Sequence, residues 1–514
     1  MKKETDTPTY QRGERPSLVE SFEIAGLYDY RKISLASPYA ATILIAQNGS
    51  GKTTLLGALD AFLKGQFSRL RDVPFRKITC KLRGELLPFV LQRAELDKYI
   101  NTSENSEIGA AARRFGVDPR DLLRALEKHD WNRLDYRTLR EDPVYEPISK
   151  HVGYRYEAVH SALSELKPKL FQNCRELGAI SSSLHAALSN IEVLYLPTYR
   201  RIELSISAET DNDQRESLRR LRSQFRVAGS GLYPADIQFG LGDISERLLE
   251  LNQRILIESN QGYRQITADI LSELIDNPLE NIIVDDHAIP SKTDLELFLS
   301  RLKEVGRYVG RFPEPMPVPN IEKLYSSNVP AESNKFLRYF LGKLNSVINA
   351  TRAIELPVEE FVQRCNKYLS ATDISTSIEA APSPAGLDGK VLHLDRRSLK
   401  VYAKSISTGR RIKLDALSSG EKQMVSLFAK LFLFPPHEKL ILIDEPELSL
   451  SLDWQRHILS DIVDAPLCRQ VIAITHSPFV FDNELEPFAR SVQLSVDEAL
   501  PSSAGDEGES EIDD

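Results

Sequence analysis

Cysteine is scarce in this chain. Among its 514 residues are four cysteines: Cys80, Cys174, Cys365 and Cys468. None belongs to a CxxC pair, and none has a histidine beside it at metal-ligand spacing. The pattern excludes a disulfide framework and indicates buried or surface thiols in a reducing compartment. A hydrophobic content of 41%, over a length that allows roughly two to four domains, supplies a large core without covalent cross-links.

Long apolar runs are missing as well. No stretch approaches the roughly 20 apolar residues that a membrane span needs. The polar start, MKKETDTPTYQRGERP, has no apolar segment of the kind found in secretory signals. We therefore expect a soluble, cytoplasmic protein without a membrane partner.

Charge of one sign is concentrated only near residue 514. The formal net charge is −9, but residues 497–498 and 506–514 hold eight acids and no base, which leaves 66 acids against 65 bases elsewhere. A nearly neutral body excludes a bulk nucleic-acid binder of the histone kind and leaves local basic patches open. Arg200–Arg201 and the arginines within 215–226 are candidate patches, with an ion-paired or solvated surface as the alternative for both.

Hydrophobic periodicity predicts alternating strands and helices. Strands are expected over 21–35 and 41–46, followed by a glycine-rich turn and a helix. Amphipathic helices are expected over 85–190, and an apolar strand at 191–197. The polar breaks between these helices are expected near 101–106 and 141–143.

The second half of the sequence has a longer helical pattern. Asp243 and Glu246 suggest a capping box, and the next helix carries a short heptad-like seam of Ile244, Leu248, Leu251 and Ile255. Helical pattern continues to about 275 and returns at 293–307 and 333–372, before a connector at 373–388. Strands and helices alternate again over 412–496.

The first motif with chemical meaning runs from Ala46 to Thr53 and reads AQNGSGKT. It follows the phosphate-loop pattern GxxxxGK[ST], with alanine in place of the first glycine. Backbone N–H groups of such a turn surround phosphate oxygens, and the following helix presents its positive end. Lys52 would neutralise phosphate charge, and the Thr53 hydroxyl would hold Mg²⁺.

Two further motifs end buried strands. LILI is followed by Asp444 and Glu445, which point to opposite sides of the strand and should therefore act differently. Asp444 suits a water-mediated contact to Mg²⁺, and Glu445 suits polarisation of an attacking water. VIAIT is followed by His476.

The fourth motif, LSSGEKQ over 417–423, precedes an apolar helical run. It reads as a serine-capped helix start that offers a second anion site. Each motif alone has a structural explanation: a chance turn, surface acids, an ordinary helix cap and a structural histidine.

Together, in the order phosphate loop, LSSGEK, strand-DEP and strand-TH, the set resembles the ATP-binding cassette ATPases of the SMC/RecF/OLD-like branch. The resemblance covers residues of about 20–65 and 390–485. It implies an α/β fold: an ABC-type split nucleotide-binding head, with a mixed sheet and flanking helices, interrupted by a large, mostly α-helical insertion. The expected segments are a flexible N-terminus (1–20), an N-terminal lobe of the ATPase head (21–84), a helical insertion (85–190), a return strand with an arginine-rich connector (191–242), a helical arm with a linker (243–388), a C-terminal lobe (389–496) and a disordered acidic tail (497–514).

The resemblance also implies ATP and Mg²⁺ as cofactors, ATP hydrolysis, and a head-to-tail dimer around ATP, with higher oligomers possible. The implied catalytic residues are Glu445 and His476, the latter as a sensor of the γ-phosphate. Nucleotide would lie between the phosphate loop of one subunit and the LSSGEK motif, called the signature, of the other. The implied nucleotide contacts are Asn48, Gly49, Ser50, Gly51, Lys52, Thr53 and Thr54 from the first, with Ser418, Ser419, Gly420 and Glu421 from the second. Metal contacts are implied for Thr53, Asp444 and Gln238. Tyr28 or Tyr30 would stack on adenine, and 448–451 would cross the dimer axis.

The absence of several motifs limits the classes of ATPase that the sequence fits. There are no sustained heptads for a long SMC coiled coil, no cluster of histidines of the HNH kind, and only 38 residues after His476, too few for a TOPRIM nuclease. A stand-alone ATPase of this build resembles ATPase subunits of bacterial antiphage systems, the PtuA family of Septu and some retrons first and the AriA family of PARIS second.

This resemblance implies a scaffold or sensor with no nuclease activity of its own and with a co-encoded effector nuclease, of HNH type, as its partner. Nucleic acid, or a retron reverse transcriptase with its msDNA, are further implied partners. A RecF-like ATPase that binds DNA in repair is the alternative, and a nuclease in its own right is a third hypothesis.

Overall fold

The computed structural model describes residues 12–45, 49–129, 139–140, 142–196, 232, 241–276, 289–308, 321–325, 331–370, 389–434, 437–448 and 450–496. The chain divides into two compact units, Met1–Ile237 with Pro436–Asp514, and Gln238–Pro435. Residues 389–435 of the predicted C-terminal lobe lie in the second unit.

The strands, in chain order, are β1 (Val19–Leu27), β2 (Arg31–Ala36), β3 (Ala41–Ile45), β4 (Lys77–Leu82), β5 (Phe89–Gln92), β6 (Ile191–Leu196), β7 (Lys390–Asp395), β8 (Lys400–Ser405), β9 (Arg411–Ile412), β10 (Glu438–Asp444), β11 (Cys468–Thr475), β12 (Ala489–Ser491) and β13 (Gln493–Val496). The α-helices are α1 (Lys52–Leu63), α2 (Arg93–Asn105), α3 (Glu107–Phe115), α4 (Pro119–Lys128), α5 (Tyr145–Val152), α6 (Tyr156–Leu166), α7 (Arg175–Ala187), α8 (Leu241–Asp276), α9 (Lys292–Tyr308), α10 (Ile321–Tyr325), α11 (Ala331–Leu369), α12 (Ser419–Phe432) and α13 (Leu452–Val463).

A parallel sheet forms the centre of the first unit, in the strand order β12-β3-β11-β10-β6. Strands β10 and β11 are buried along nearly their whole length, which is typical of parallel strands covered on both faces. Helix α1 packs on β10 and β6, and α13 packs on β11. The predicted α/β class is confirmed. Because the strands are parallel, the segments that follow β3, β10 and β11 leave the sheet at the same edge.

A second, antiparallel sheet of the first unit has the order β13-β2-β1-β4-β5. The amide of Gln470 on β11, which is fully buried, connects β11 to the start of β1. Its oxygen accepts hydrogen bonds from the backbone N–H groups of Leu18 and Val19, both at 2.8 Å. Its nitrogen donates to the Val19 carbonyl and to the Ser37 hydroxyl. A buried polar side chain with all these partners fixes the register between the two sheets.

The helices α2–α7 share one hydrophobic core with α1 and β1. A chain of aromatic contacts runs through it, from Phe22 by way of Phe62 and Phe67 to Phe171, which stacks on Tyr99 at 5.4 Å. The region predicted as a helical insertion is therefore continuous in packing with the segment before it.

Two details of that region differ from the sequence-based prediction. The residues Phe89–Gln92 form strand β5, which pairs with β4. Helix α2 runs to Asn105, so the break predicted near 101–106 falls at Ser106, whose side chain caps α3.

The second unit contains a helical arm. Helices α8 and α11 have 36 and 39 residues, or roughly 54–58 Å at 1.5 Å per residue. They run antiparallel, because Gly262 meets Val347 and Glu273 pairs with Lys343. A β-carbon at Gly262 would lie 2.6 Å from Val347, so this close approach requires glycine.

The predicted seam is buried at all four positions, Ile244, Leu248, Leu251 and Ile255. The predicted capping box at Asp243 is wrong, because α8 begins two residues earlier, at Leu241. Strands β7, β8 and β9 form a small antiparallel sheet in the same unit.

Candidate functional site

The glycine-rich turn between β3 and α1 has the geometry of an anion site. Gly49 and Gly51 have φ values of 77° and 89°, left-handed conformations that glycine adopts without strain. Helix α1 starts directly after Gly51 without a side-chain cap, so its first N–H groups can bind an external anion. The Ser50 hydroxyl is buried and has no hydrogen-bond partner among the described residues.

Three predicted site residues from distant parts of the sequence meet at the edge of the parallel sheet. The Lys52 ammonium lies 3.5 Å from Oε1 of Glu445, and Nε2 of His476 lies 3.8 Å from the same oxygen. The Lys52 side chain is 6% exposed, whereas those of Glu445 and His476 are 22% and 32% exposed. Glu445 thus stands between a buried cation and an accessible imidazole.

The two acids that end β10 are placed differently, as their adjacent positions predicted. Asp444 is the last residue of the strand and is buried. Glu445 has a left-handed backbone, with φ of 54°, although its N–H still bonds the Ile474 carbonyl of β11. Such a conformation costs a non-glycine residue about 1–2 kcal/mol. This turn directs the Glu445 carboxylate toward Lys52 and His476.

Glu447, which the sequence-based prediction did not name, holds the segment that carries His476. Its carboxylate accepts hydrogen bonds from the Thr475 hydroxyl at 2.8 Å and from the backbone N–H groups of His476 and Ser477 at 2.9 and 3.2 Å. Burial raises the pKa of Glu447, and the nearby Glu445 carboxylate adds to this, although the hydrogen bonds oppose it. Glu447 therefore fixes the segment that presents His476.

Gln455 on α13 forms hydrogen bonds to both the segment that follows β10 and the segment that follows β11. Its amide nitrogen donates to the backbone carbonyls of Glu447 and Leu450, and its oxygen accepts from the Ser477 hydroxyl at 2.8 Å. Helix α13 is itself capped by Ser451. The segments that follow β10 and β11 are thus held together by side chains that do not themselves reach Lys52.

A second missed residue, Arg31, braces the phosphate loop. It donates to the Gly49 carbonyl at 3.1 Å, and its guanidinium lies over the Tyr30 ring at 4.9 Å. Tyr28 and Tyr30 are 50% and 46% exposed on the turn between β1 and β2. The two tyrosines suggested as adenine contacts are therefore on the turn that touches the loop.

The residues present fit a nucleotide with a bound metal ion. The left-handed glycines, the uncapped start of α1 and the buried Ser50 hydroxyl supply donors for phosphate oxygens. Thr53 and Thr54 follow Lys52 in the first turn of α1. The Thr53 hydroxyl and the Asp444 carboxylate are oxygen ligands of the kind Mg²⁺ prefers.

The signature residues lie in the second unit. Ser418 caps α12, and its N–H donates to the Glu421 carboxylate at 2.6 Å, which completes a capping box. The Lys390 ammonium also bonds this carboxylate, at 2.8 and 3.0 Å. Burial alone would raise the pKa of Glu421, but the bonds from Lys390 and Ser418 prevail and lower it. Ser419 begins α12, and Gly420 is buried within its first turn.

Several predicted features lie outside the described residues. They include two site residues, the connectors and both ends of the sequence: Asn48, Gln238, Arg200–Arg201, the arginines within 215–226, the connector 373–388, residues 1–11 and the acidic tail. Within the part of the chain that the structure describes, no group of three or more histidine, cysteine or acidic side chains could hold a metal ion. No described helix is both long and apolar enough to cross a bilayer.

Comparison with known proteins matches residues 285–482 to the family described as "AAA domain, putative AbiEii toxin, Type IV TA system". This range contains the LSSGEK, DEP and TH motifs but not the phosphate loop. The match supports an AAA-type ATPase domain. No curated protein matches the chain significantly.

Two solved structures are similar at 11% identity. The Smc head domain of Pyrococcus furiosus, with an extended coiled coil and bound to the C-terminal domain of ScpA, has a TM-score of 0.31, over 93% of this chain and 96% of that one. A SmcHead bound to the C-winged helix domain of ScpA has a TM-score of 0.32, over 94% and 98%.

Proposed function

We propose that the chain is an ATPase of the ABC/SMC-head type that binds and hydrolyses ATP with Mg²⁺. The observation that carries this proposal is that Lys52 and His476 both lie within 4 Å of one Glu445 carboxylate oxygen, at one edge of the parallel sheet. Lys52 precedes Glu445 by 393 residues and His476 by 424 residues in the sequence. Such a convergence is typical of a nucleotide site at the carboxyl ends of parallel strands.

In the proposed reaction, each residue has a separate role. Lys52 and the N–H groups of the phosphate loop bind and orient the phosphates, while Thr53 and Asp444 hold the metal. Mg²⁺ would supply neutralisation of phosphate charge when bound. The Glu445 carboxylate accepts a hydrogen bond from the attacking water and orients it. The backbone of His476 is held by Glu447, and its imidazole faces the same site as Glu445. There His476 senses the γ-phosphate that hydrolysis removes.

We further propose that Ser418, Ser419, Gly420 and Glu421 contact the ATP bound to a second copy of the chain. Gly420 is buried in the first turn of α12, where it adds no side chain, and the positive end of the helix dipole favours an approaching phosphate. Gln238 and Asn48 complete the proposed nucleotide site by resemblance alone. The assembly would be a head-to-tail dimer that closes on ATP, and higher oligomers can be built from it.

The biological role proposed for this ATPase is bacterial antiphage defence. It would act as a scaffold or sensor that controls a separate effector nuclease of HNH type, as PtuA-family subunits suggest, with the AriA family as second model. Co-purification from the native operon, followed by cleavage assays with each component alone, tests this role. A RecF-like repair ATPase would instead bind DNA in an ATP-dependent way and would have no nuclease partner.

The ATPase proposal is tested by two variants with different expected defects. Lys52→Ala removes the buried cation and should abolish measurable ATP affinity in calorimetry. Glu445→Gln should retain affinity but lose turnover. Lys150→Ala is the matched control, because that lysine is exposed and pairs with Glu146 on α5. Equal ATP affinity in the wild type and Lys52→Ala contradicts the proposal.

A further inference from the structure

The small sheet of the second unit presents a basic face. Strand pairing sets His393 opposite Tyr402, Asp395 opposite Lys400, and Lys404 opposite Arg411. Because directly paired residues point to the same side of a sheet, these side chains share one face. Three cations and one acid therefore lie around two aromatic rings.

The opposite face of this sheet is covered. Leu392, Leu399 and Ala403 are at most 2% exposed, and β7 packs along helix α11. The basic face is open in comparison: Lys400, Arg411 and His393 are exposed. One more exposed cation, Lys413, lies two residues after Arg411 and therefore on the same side of the chain.

These cations lack acidic partners. Among the described residues, no carboxylate pairs with Lys400, Lys404, Arg411 or Lys413. Asp395, the acid on the same face, instead accepts from the Ser398 hydroxyl at 2.6 Å and from the Arg397 N–H at 3.1 Å. By contrast, the two cations at the ends of β7 are engaged: Lys390 bonds Glu421, and Arg396 bonds Glu355.

The aromatic rings hold the cations in place and leave no open stacking surface. The Arg411 guanidinium lies 4.2 Å from the centre of the Tyr402 ring, and the Lys404 ammonium lies 5.4 Å from it. The His393 ring is 5.1 Å from the same ring. Cation–π contacts of this kind orient charged groups before a ligand arrives. Since Tyr402 is surrounded, unstacked bases of a single strand would find little to stack on.

We propose that this basic face, formed by Lys400, Lys404, Arg411 and Lys413, binds the phosphate backbone of duplex nucleic acid without reading its sequence. Lys400 and Lys404 are four residues apart, roughly 13 Å along a strand. This is about four base-pair steps at 3.4 Å each. An array of unpaired, oriented cations on a rigid sheet suits a ligand with regularly spaced charges, and it contacts no base edges.

The test measures binding of a labelled DNA duplex of about 20 base pairs to the full chain, without ATP, as a function of salt. Four phosphate contacts predict a slope of about −3.6 in log K against log salt, or a loss of about 150-fold between 50 and 200 mM salt. In the triple variant Lys400→Gln/Lys404→Gln/Arg411→Gln, one contact remains. The slope should fall to about −0.9, and the loss to about 3.5-fold.

A charge-matched control separates this face from general electrostatics. It removes three exposed cations that pair with carboxylates elsewhere, namely Lys150, Lys169 and Arg254, and should bind DNA with the wild-type slope. The proposal is overturned if the wild type and the basic-face variant have equal salt slopes, or if the basic-face variant and the control change the slope by the same amount. Either result would indicate that other arginines bind the DNA. Binding of an acidic peptide but not of the duplex overturns it in favour of a protein partner. Because nucleotide is absent, the result is independent of the proposed ATPase activity.

Discussion

Substitution by glutamine should lower the turnover strongly at Glu445 and only slightly at Glu447. At Glu445 the amide removes the negative charge from between Lys52 and His476. Loss of a general base typically lowers turnover by about 10²–10⁴-fold, so kcat should fall by that amount while ATP affinity is kept. At Glu447 the amide should preserve most of the turnover, because that carboxylate acts as a hydrogen-bond acceptor for the loop.

The contacts of Glu447 set the size of the effect. Oε1 accepts both backbone N–H groups, of His476 and Ser477, and Oε2 accepts the Thr475 hydroxyl. A glutamine keeps the first oxygen, and its NH₂ can donate to the hydroxyl, which can reverse its role. Burial already disfavours the charged form of Glu447, as its raised pKa indicates. We therefore expect Glu447→Gln to cost about 1 kcal/mol or less.

Glu447→Ala should have the largest effect on stability of the three variants. It removes all three hydrogen bonds, and at about 1 kcal/mol for each bond the free energy of unfolding should fall by about 2–3 kcal/mol. Because His476 loses its backbone anchor, turnover should fall as well. Steady-state phosphate release and urea unfolding of the three variants provide both quantities. If Glu447→Gln is as inactive as Glu445→Gln while its unfolding free energy is unchanged, the charge of Glu447 takes part in the chemistry and the reasoning is refuted.

Three further predictions concern separate regions. Mixing inactive Lys52→Ala with inactive Ser418→Arg protein should restore part of the ATPase activity, since one composite site in the mixed dimer is intact; no recovery despite proven subunit exchange counts against a site in trans. Arg31→Ala should weaken ATP binding by about 3–10-fold in calorimetry, because the Gly49 carbonyl loses a bond worth about 1 kcal/mol, and Arg31→Lys should recover part of it. Burial raises the pKa of Glu127 from 4.5 to about 7, so the folded state retains a proton that the unfolded chain releases. The stability that protonated Glu127 contributes should therefore be fully present below about pH 4.5 and be lost, by up to about 3 kcal/mol, as the pH rises from there through 7. In urea titrations the wild type should lose stability relative to Glu127→Gln over this range.

The sequence was most informative where local chemistry and burial agree. The apolar runs before Asp444 and His476 are fully buried parallel strands, and the glycines of the phosphate loop adopt the left-handed conformations that the motif requires. The residues that meet at the sheet edge were identifiable because each follows a strand. Parallel pairing then brings strand ends together without further information.

Pairing partners between distant segments could not be predicted. The sequence carries no signal for Glu447, since its three donors come from a loop 28–30 residues away. Arg31 lies in an ordinary strand sequence, and its contact with Gly49 depends on how the turn of one sheet approaches the other. The start of α8 was also misplaced, because packing of its apolar seam overrides a plausible cap at Asp243.

The position of β3 in the core sheet has a consequence for protein synthesis. Both of its neighbours, β11 and β12, begin beyond residue 467. At roughly 5–20 residues per second, a ribosome needs about 20–80 s to advance from the phosphate loop to β11. Throughout that time the strand that carries the loop has no partner in its sheet, and Lys52 has neither Glu445 nor His476 beside it. A nascent chain stalled before β11 should therefore not be retained on immobilised ATP, although it already contains the complete phosphate loop.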